Sequence, residues 1–315
     1  MANILKNLTE KFSELLEDFN ESFQANFEFE GAYSIREDGA CAEHMSSKNV
    51  RIELKSDKPG LDIYVKEGTK NEIVYIPACV TKGGIDDLVY NDFHIEPNCD
   101  IVIIAGCSVH TDTHETAKHN GIHSFYIGEN SKVIYEEKHI ATGEGDGEKN
   151  INPVTHVELE KNAYCEMDTL QLHGVTNSDR KTTAICKEGA KLIVHERILT
   201  ENEEKAESVF EVKLIGDNSH ADIVSRSVAK DKSYQNFIST VIGDANCSGH
   251  SECDAIIDGE AIVDASPRLF ARNKDASLIH EAAIGKIAGE QILKFKSLGL
   301  TQEEAEAKII EGFLA

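Results

Sequence analysis

The chain contains 315 residues, with 32 Lys and Arg against 56 Asp and Glu, a formal net charge of −24 at pH 7. Since no Lys- or Arg-rich block interrupts this acidic balance, we expect neither nucleic acid nor an anionic membrane surface as a partner. No apolar run approaches the ~20 residues that cross a bilayer, and residues 1–6 lack the basic-then-apolar order of a signal peptide. We therefore expect a cytoplasmic protein.

Residues 3–23 carry apolar side chains at helical spacing, which predicts an N-terminal helix that docks through one face. The apolar positions are Ile4, Leu5, Leu8, Phe12, Leu15, Leu16, Phe19 and Phe23. Residues 32–65 then alternate short β-type runs with turn signals at Asp38-Gly39 and Lys58-Pro59-Gly60.

A turn signal recurs at steps of 27 to 32 residues along most of the remaining chain. It is found at Gly68-Thr69, Asn98-Cys99, Asn130-Ser131, Asn162-Ala163, Gly189-Ala190, Asn218-Ser219, Ala245-Asn246 and Asp275-Ala276. Gly and Asn suit turns that need a left-handed backbone. A β-rich run follows each turn, and such repeats bury a common core only when they stack. The pattern predicts a mainly β fold, a parallel β-helix; a jelly roll or sandwich of short strands is the alternative.

The composition becomes helical after the last repeat. Residues 289–299 predict one helix closed by a glycine, and Thr301-Gln-Glu-Glu304 is a capping box that starts a second helix over residues 303–313. Such a pair could cap the last rung or dock a partner. We expect an N-terminal helical segment over 1–27, a β-helix core over 28–284 and a C-terminal helical region over 285–315.

The eight cysteines form no C-x-x-C pair, and we expect them to be reduced. They are Cys41, Cys79, Cys99, Cys107, Cys165, Cys186, Cys247 and Cys253. A free cysteine is usually a small buried hydrophobe, so few of these positions are expected to be functional.

Cys253 is the strongest candidate, because His280 and Glu281 follow it by about one repeat, 27 residues to His280. A thiolate, an imidazole and a carboxylate can together hold iron, zinc or a growing iron–sulfur cluster. The thiolate is also the nucleophile that accepts persulfide sulfur. On neighbouring rungs, Cys253 and His280 would lie about 5 Å apart, one strand spacing.

Two other groupings offer metal ligands. His110, His114, His119 and His123 lie close to Cys107 in the sequence and suggest a metal-dependent enzyme, although no H-E-x-x-H motif accompanies them. Cys247-x-x-His250-x-x-Cys253 could be part of a zinc site, but a fourth ligand at matched spacing is missing. The chain has no G-x-x-x-x-G-K-[ST] loop, so any ATPase activity would belong to a partner.

Several C-terminal motifs carry a family resemblance. They are Arg272-Asn-Lys-Asp275, Leu278-Ile-His280-Glu281, Gly285-Lys-Ile and Gly299-Leu-Thr-Gln-Glu-Glu-Ala305, with a weaker match from Ala105 to Val133. With these motifs the chain resembles the SufB/SufD scaffold family of iron–sulfur cluster assembly, with a shortened N-terminal region.

The resemblance implies a right-handed parallel β-helix with flanking helices, and a scaffold rather than an enzyme. Glu252-Cys253-Asp254 matches the stretch around the acceptor cysteine of SufB-type members. Cys107 matches the cysteine that receives sulfur, and His280 and Glu281 match the pair beside the cluster. Where the family often has a further carboxylate, this chain has Ile279, so the acid ligand is left open between Glu281, Glu252 and Asp254.

The resemblance also implies partners and cofactors. It implies a SufC-like ABC-type ATPase that docks on the C-terminal helices, a cysteine desulfurase or other sulfur donor, and apo iron–sulfur proteins as recipients. The expected cargo is iron and a transient iron–sulfur cluster, of the [4Fe–4S] type, with reduced flavin as a possible further cofactor of the complex. We expect two copies to pair through their C-terminal rungs, in place of a SufB–SufD heterodimer.

Overall fold

The computed structural model describes residues 9, 11–15 and 31–314. Within these ranges the protein is mostly β, with about 60% of residues in strands. The strands are β1 (Ala32–Glu37), β2 (Ala40–Met45), β3 (Val50–Leu54), β4 (Gly60–Val65), β5 (Lys70–Val80), β6 (Asp86–Ile95), β7 (Asp100–His110), β8 (Ala117–Ile127), β9 (Lys132–Thr142), β10 (Lys149–Ile151), β11 (Val154–Leu159), β12 (Tyr164–Gln171), β13 (Asn177–Cys186), β14 (Lys191–Thr200), β15 (Lys205–Leu214), β16 (His220–Ala229), β17 (Tyr234–Gly243), β18 (Ser248–Ile257), β19 (Ile262–Ala271) and β20 (Ser277–Gly285). Two helices follow, Gly289–Ser297 and Gln302–Leu314.

The strands form two sheets. Along the solenoid, successive strands belong alternately to one sheet and to the other. The first sheet has the order β2-β1-β5-β7-β9-β12-β14-β16-β18-β20, and the second runs β19-β17-β15-β13-β10-β8-β6-β4-β3, with β11 pairing β13 and β8. All neighbours are parallel except the β1–β2 and β3–β4 hairpins. The result is a β-solenoid of about eight turns, as the repeat predicted. A sandwich of antiparallel strands is excluded.

The core lies between the two sheets and is built by stacked positions of equal register. Val133, Cys165, Leu192 and Ala221 lie directly above one another on four neighbouring strands, and all are buried. Because side chains alternate along a strand, the intervening residues face outward. Each rung therefore buries its inner face only against its neighbours.

The predicted turns explain why the rungs stack in register. The backbone is left-handed, with positive φ, at Gly68, Asn98, Asn130, Asn162, Gly189 and Asn218. Each amide donates to a carbonyl of the following turn, as from Asn98 to Glu129 at 2.9 Å. The last two predicted turns lack this left-handed residue, and side-chain hydrogen bonds shape them instead. In the last one, the Asp275 amide donates to Asn273 Oδ1 at 2.9 Å.

The structure has a short N-terminal helix and two C-terminal helices, as the predicted fold class requires. Residues 11–15 are helical and bury Phe12 and Leu15 against the outer face of the first sheet; the other residues of the predicted N-terminal helix lie outside the described ranges. At the second C-terminal helix, the Thr301 amide donates to Glu304 Oε2 at 2.8 Å and the Glu304 amide to Thr301 Oγ1 at 3.2 Å, which forms the capping box. No described helix has the length and apolar character needed to cross a membrane.

The two ends of the solenoid differ. The β1–β2 and β3–β4 hairpins close the N-terminal end. At the other end β19 and β20 are the last strands of their sheets, and the C-terminal helices do not cover them: the first helix buries no residue and the second buries only Ala305. Phe270 and Ile279 remain 47% and 54% exposed. The C-terminal end is therefore open.

Candidate functional site

Cys253 lies on β18, one strand before the open end. Its side chain points into the solenoid and is 3% exposed. Its direct neighbour on β16 is Ser225, and a small void of about 10 Å³ beside it is lined by Glu196. Burial, and then the charge of Glu196, raise the pKa of the Cys253 thiol to about 12. The resting group is thus the thiol rather than the thiolate.

His280 lies on β20 and faces the same side of the sheet as Cys253. The direct partner of His280 on β18 is Ser251, which is buried, and the direct partner of Cys253 on β20 is Ala282. His280 is therefore a diagonal neighbour of Cys253, one strand away and two residues along, with the strands about 4.8 Å apart. It is exposed because β20 is the last strand. The two residues share the inner face, but the diagonal offset places them farther apart than the single strand spacing of about 5 Å predicted from the sequence.

Glu281 lies on the opposite face. It is directly across from Glu252, and the alternation along β18 and β20 places both outside the solenoid. Asp254 shares that outer face. All three acids left open by the sequence are thus separated from Cys253 by the sheet itself. On the outer face, Glu252 and Glu281 form a group with His250 whose ligand atoms lie within 4.8 Å of one another.

Cys107 lies near the other end of the solenoid, on β7, and also faces inward. It is 4% exposed, and its direct neighbour on β9 is His139. Burial, and then the charge of Glu137, raise the pKa of its thiol well above the usual range. Cys107 lines a cavity of about 220 Å³ that also contacts Cys41 and His123. The cavity gives this thiol a route to the surface.

Buried polar side chains connect the two cysteines, and we call them the interior track: Glu137, His139, Arg180, Glu196 and Ser225. Arg180 Nη1 donates to Glu137 Oε2 at 2.6 Å, and Arg180 Nη2 lies 3.3 Å from His139 Nδ1. Arg180 Nε lies 3.5 Å from Glu196 Oε1. The Ser225 hydroxyl donates to Glu196 Oε2 at 2.8 Å. The track starts beside Cys107, at His139, and ends beside Cys253, at Ser225.

Charge within the track is unevenly distributed. Burial alone would raise the pKa of Glu137, but Arg180 and His139 outweigh it and hold that pKa well below its usual range. At Glu196 burial prevails over Arg180 and two serine hydroxyls, and the pKa is raised. Glu196 is therefore the carboxyl of the track that is more easily protonated, and it is the one next to Cys253.

Sequence reasoning missed Glu137 and Glu196, although a signal was present. In β14, Leu192 and Val194 face inward, and Glu196 follows at the same parity. In β9, Val133 and Tyr135 likewise lead to Glu137. Burying a carboxylate at an inward position of an apolar strand costs free energy unless the carboxylate is paired. An acidic residue at such a position is therefore a sequence signal for a functional residue.

Two of the four histidines of the alternative hypothesis, His119 and His123, line the same cavity as Cys107, whereas His110 and His114 have their partners elsewhere. His110 contacts Thr142 and Asp112 at 2.9 Å each, and the exposed His114 pairs with Asp146. His119 contacts Asp87 at 2.9 Å. His123 is buried, and its Nδ1 has no hydrogen-bond partner in the described part of the chain. Within the described residues, the only group of three or more metal-type ligands is the one on the outer face of β18 and β20.

The Cys247, His250 and Cys253 grouping is also dispersed. Both cysteines are buried in the core, whereas His250 lies on the outer face of β18. The alternation of a single strand separates His250 from Cys253. These three residues therefore do not form a zinc site.

The fold and the site define a class of protein: a β-solenoid with two buried thiols joined by an interior track, one of them beside a histidine at the open end. Residues 90–313 match the family described as SUF system FeS cluster assembly, SufBD core domain. The chain belongs to this family.

Curated relatives agree with this assignment. An iron–sulfur cluster assembly SufBD family protein of Archaeoglobus fulgidus is 31% identical over 84% of this chain and 70% of its own length. One from Pyrococcus horikoshii is 33% identical over 62% of this chain and 60% of its own length, and one from Methanocaldococcus jannaschii is 29% identical over 80% and 79%. The matched region thus covers less than two thirds of the Pyrococcus relative. Family membership supports a role in iron–sulfur cluster assembly.

Proposed function

We propose that this protein is a scaffold for de novo iron–sulfur cluster assembly, with Cys253 as the sulfur acceptor and Cys253 and His280 as cluster ligands. The observation that carries the proposal is their position on one inner face of β18 and β20, at the open end. Thiolate and imidazole are both ligands of iron–sulfur centres. The cargo is iron and a transient cluster of the [4Fe–4S] type, and the setting is the cytoplasm.

Sulfur is received at Cys107. The Cys107 sulfur attacks the outer sulfur of a donor persulfide, the donor S–S bond breaks, and the donor leaves as a thiol that carries the proton of Cys107. No net oxidation occurs. A cysteine desulfurase or another persulfide carrier supplies the sulfur, and the 220 Å³ cavity gives it access.

The interior track is the route from Cys107 to Cys253. From β7 to β18 the first sheet crosses five strand spacings, about 24 Å at about 4.8 Å each. A direct reaction between the two sulfurs is therefore impossible. Polar groups follow the same path, and Arg180 at its centre favours hydrosulfide. Reduced flavin of the complex would deliver two electrons and a proton to the Cys107 persulfide, so that its S–S bond breaks, Cys107 regains its thiol and hydrosulfide leaves. Cys253 would then take up this sulfide together with iron, with no further change of oxidation state. The void of about 10 Å³ at Glu196 and Cys253 has room for about one such atom.

Partners are assigned to the two exposed C-terminal surfaces. A SufC-like ABC-type ATPase docks on the helical region 285–315, where Leu293 and Leu298 are 65% and 76% exposed. A second copy pairs through β19 and β20, the last strands of the core over 28–284. Apo iron–sulfur proteins receive the cluster, and reduced flavin in the complex supplies electrons. Within the predicted segment 1–27, the described residues 11–15 dock on the outside of the core.

The test is the iron and acid-labile sulfide content, with the visible spectrum, of protein purified without oxygen. Wild type should contain both in similar amounts with broad absorbance near ~400 nm. Cys253→Ser and His280→Ala should lose both, whereas Cys165→Ser, which changes another buried core cysteine, should keep them. Zinc, or iron without sulfide, that is unaffected by Cys253→Ser would refute the proposal.

A further inference from the structure

The outer face of β18 and β20 brings together three potential metal ligands. One ligand atom each from His250, Glu252 and Glu281 lies within 4.8 Å of the other two. His250 and Glu252 are partly buried and Glu281 is exposed. The three side chains therefore surround one small region that is open to solvent.

Two of these ligands repel one another. Glu252 and Glu281 are direct cross-strand partners, and like charges in that arrangement destabilise a sheet. In the described part of the chain neither carboxylate forms a salt bridge with a lysine or arginine. A bound cation would relieve this repulsion.

The third ligand is held in position by another carboxylate. His250 Nδ1 lies 2.8 Å from Asp222 Oδ1, on its direct register partner in β16. The Nδ1–H of His250 donates to the Asp222 carboxylate, which leaves the lone pair of Nε2 free for a metal. A carboxylate behind a histidine is the usual support of a metal-binding imidazole.

We propose that His250, Glu252 and Glu281 form a binding site for a divalent first-row transition-metal ion, with Asp222 as the residue that positions His250. One nitrogen and two oxygen ligands suit Fe²⁺, Co²⁺ or Zn²⁺ better than Ca²⁺ and Mg²⁺, which prefer oxygen alone, or Cu⁺, which prefers sulfur. The two carboxylates balance the charge of the ion.

The position of this site gives it a role in iron supply. Glu252 precedes Cys253 and Glu281 follows His280, so the outer site and the inner pair occupy opposite faces of the same two strands. Before a second copy pairs with β20, the last strand of its sheet, an ion can pass from one face to the other around its free edge. Ferrous iron would be the substrate held there. This role depends on the proposed scaffold function, whereas the binding of the ion does not.

Cobalt titration of the Cys253→Ser protein without oxygen tests the site separately from cluster assembly. We expect about one Co²⁺ per chain, with the visible bands of nitrogen and oxygen ligation and no sulfur-to-cobalt charge transfer. Glu281→Gln and His250→Gln should each weaken binding at least tenfold, and Asp222→Asn about 10- to 100-fold. Glu211→Gln, an outward carboxylate on β15 already paired with Lys213 at 2.9 Å, is the matched control.

A stability measurement guards against misfolding of the variants. Without metal, Glu281→Gln should be at least as resistant to urea as its parent, because it removes the repulsion. Added Co²⁺ should stabilise the parent and the Glu211→Gln control but not Glu281→Gln. Equal Co²⁺ affinity of Glu281→Gln and Glu211→Gln would overturn the proposal. Co²⁺ binding as predicted, in a wild-type protein without iron and sulfide, would support the site and refute the scaffold function.

Discussion

Arg180 and Glu137 form an ion pair of 2.6 Å inside the solenoid, with side chains that are only 4% and 1% exposed. The same guanidinium lies 3.5 Å from Glu196. One cation thus compensates two carboxylates that come from different strands of the first sheet. The interior track depends on this residue for its charge balance.

We predict that Arg180→Met strongly destabilises the protein, because it leaves two buried carboxylates without a counter-ion. The expected loss of unfolding free energy is about 3–5 kcal/mol, measured by urea unfolding at pH 7. Lys181→Met is the control, since Lys181 is the next residue on β13 but is 54% exposed and pairs with Asp179 on the surface. Such exposed pairs contribute little. Equal stability of the two variants would show that the track carries no net charge to balance.

Cys253 should react slowly with iodoacetamide in the isolated protein. Its pKa of about 12, against an ordinary thiol pKa of 9.0, lowers the thiolate fraction at pH 8 by about a thousandfold. Cys41, the one cysteine of the eight that is not buried, should be alkylated first. Mass spectrometry of labelled peptides over time measures both rates. Equal rates at Cys253 and Cys41 would mean that the open end exposes the Cys253 thiol.

Stability should fall between pH 6.5 and pH 4 because of His123. Burial lowers the pKa of His123 from 6.5 to about 4. The unfolded chain therefore binds the proton first, so stability is complete above about pH 6.5 and is lost as the pH falls towards 4. The loss at this residue is up to about 3 kcal/mol. The free energy of unfolding, measured with urea, should fall less between pH 7 and pH 5 in His123→Phe than in wild type. An equal fall in both proteins would assign the pH dependence to other groups.

Pairing of two copies through the C-terminal rungs predicts a selective effect of charge at that end. Ile284→Lys, on β20, should shift sedimentation equilibrium towards the monomer, because Ile284 is 42% exposed at the open end. Leu54→Lys is the matched control, since Leu54 is 53% exposed on β3 at the opposite end. A monomeric wild type, or dissociation by Leu54→Lys alone, would contradict the pairing.

Turn chemistry made the solenoid predictable from sequence, whereas register hid part of the site. Asn98 and Asn130 take the left-handed backbone that their residue type suggests, and their spacing defines a rung. The spacing of Cys253 and Glu281 does not state which residues of β18 and β20 are opposite each other, and a shift of one residue exchanges the two faces. Only the observed register, Cys253 opposite Ala282, places Glu281 outside.

The unequal ends of the solenoid also limit how far chains can associate. The open end presents strands of 10 and 9 residues, β19 and β20, while the closed end presents β2 and β3, of 6 and 5 residues in antiparallel hairpins. Strands of such different length and direction cannot continue one another's ladder, so head-to-tail stacking into a fibre is disfavoured. Two open ends, in contrast, match when one chain is related to the other by a two-fold rotation. This arrangement leaves neither chain with an unpaired edge at its open end. If two copies pair in the proposed way, growth by edge pairing stops at two chains.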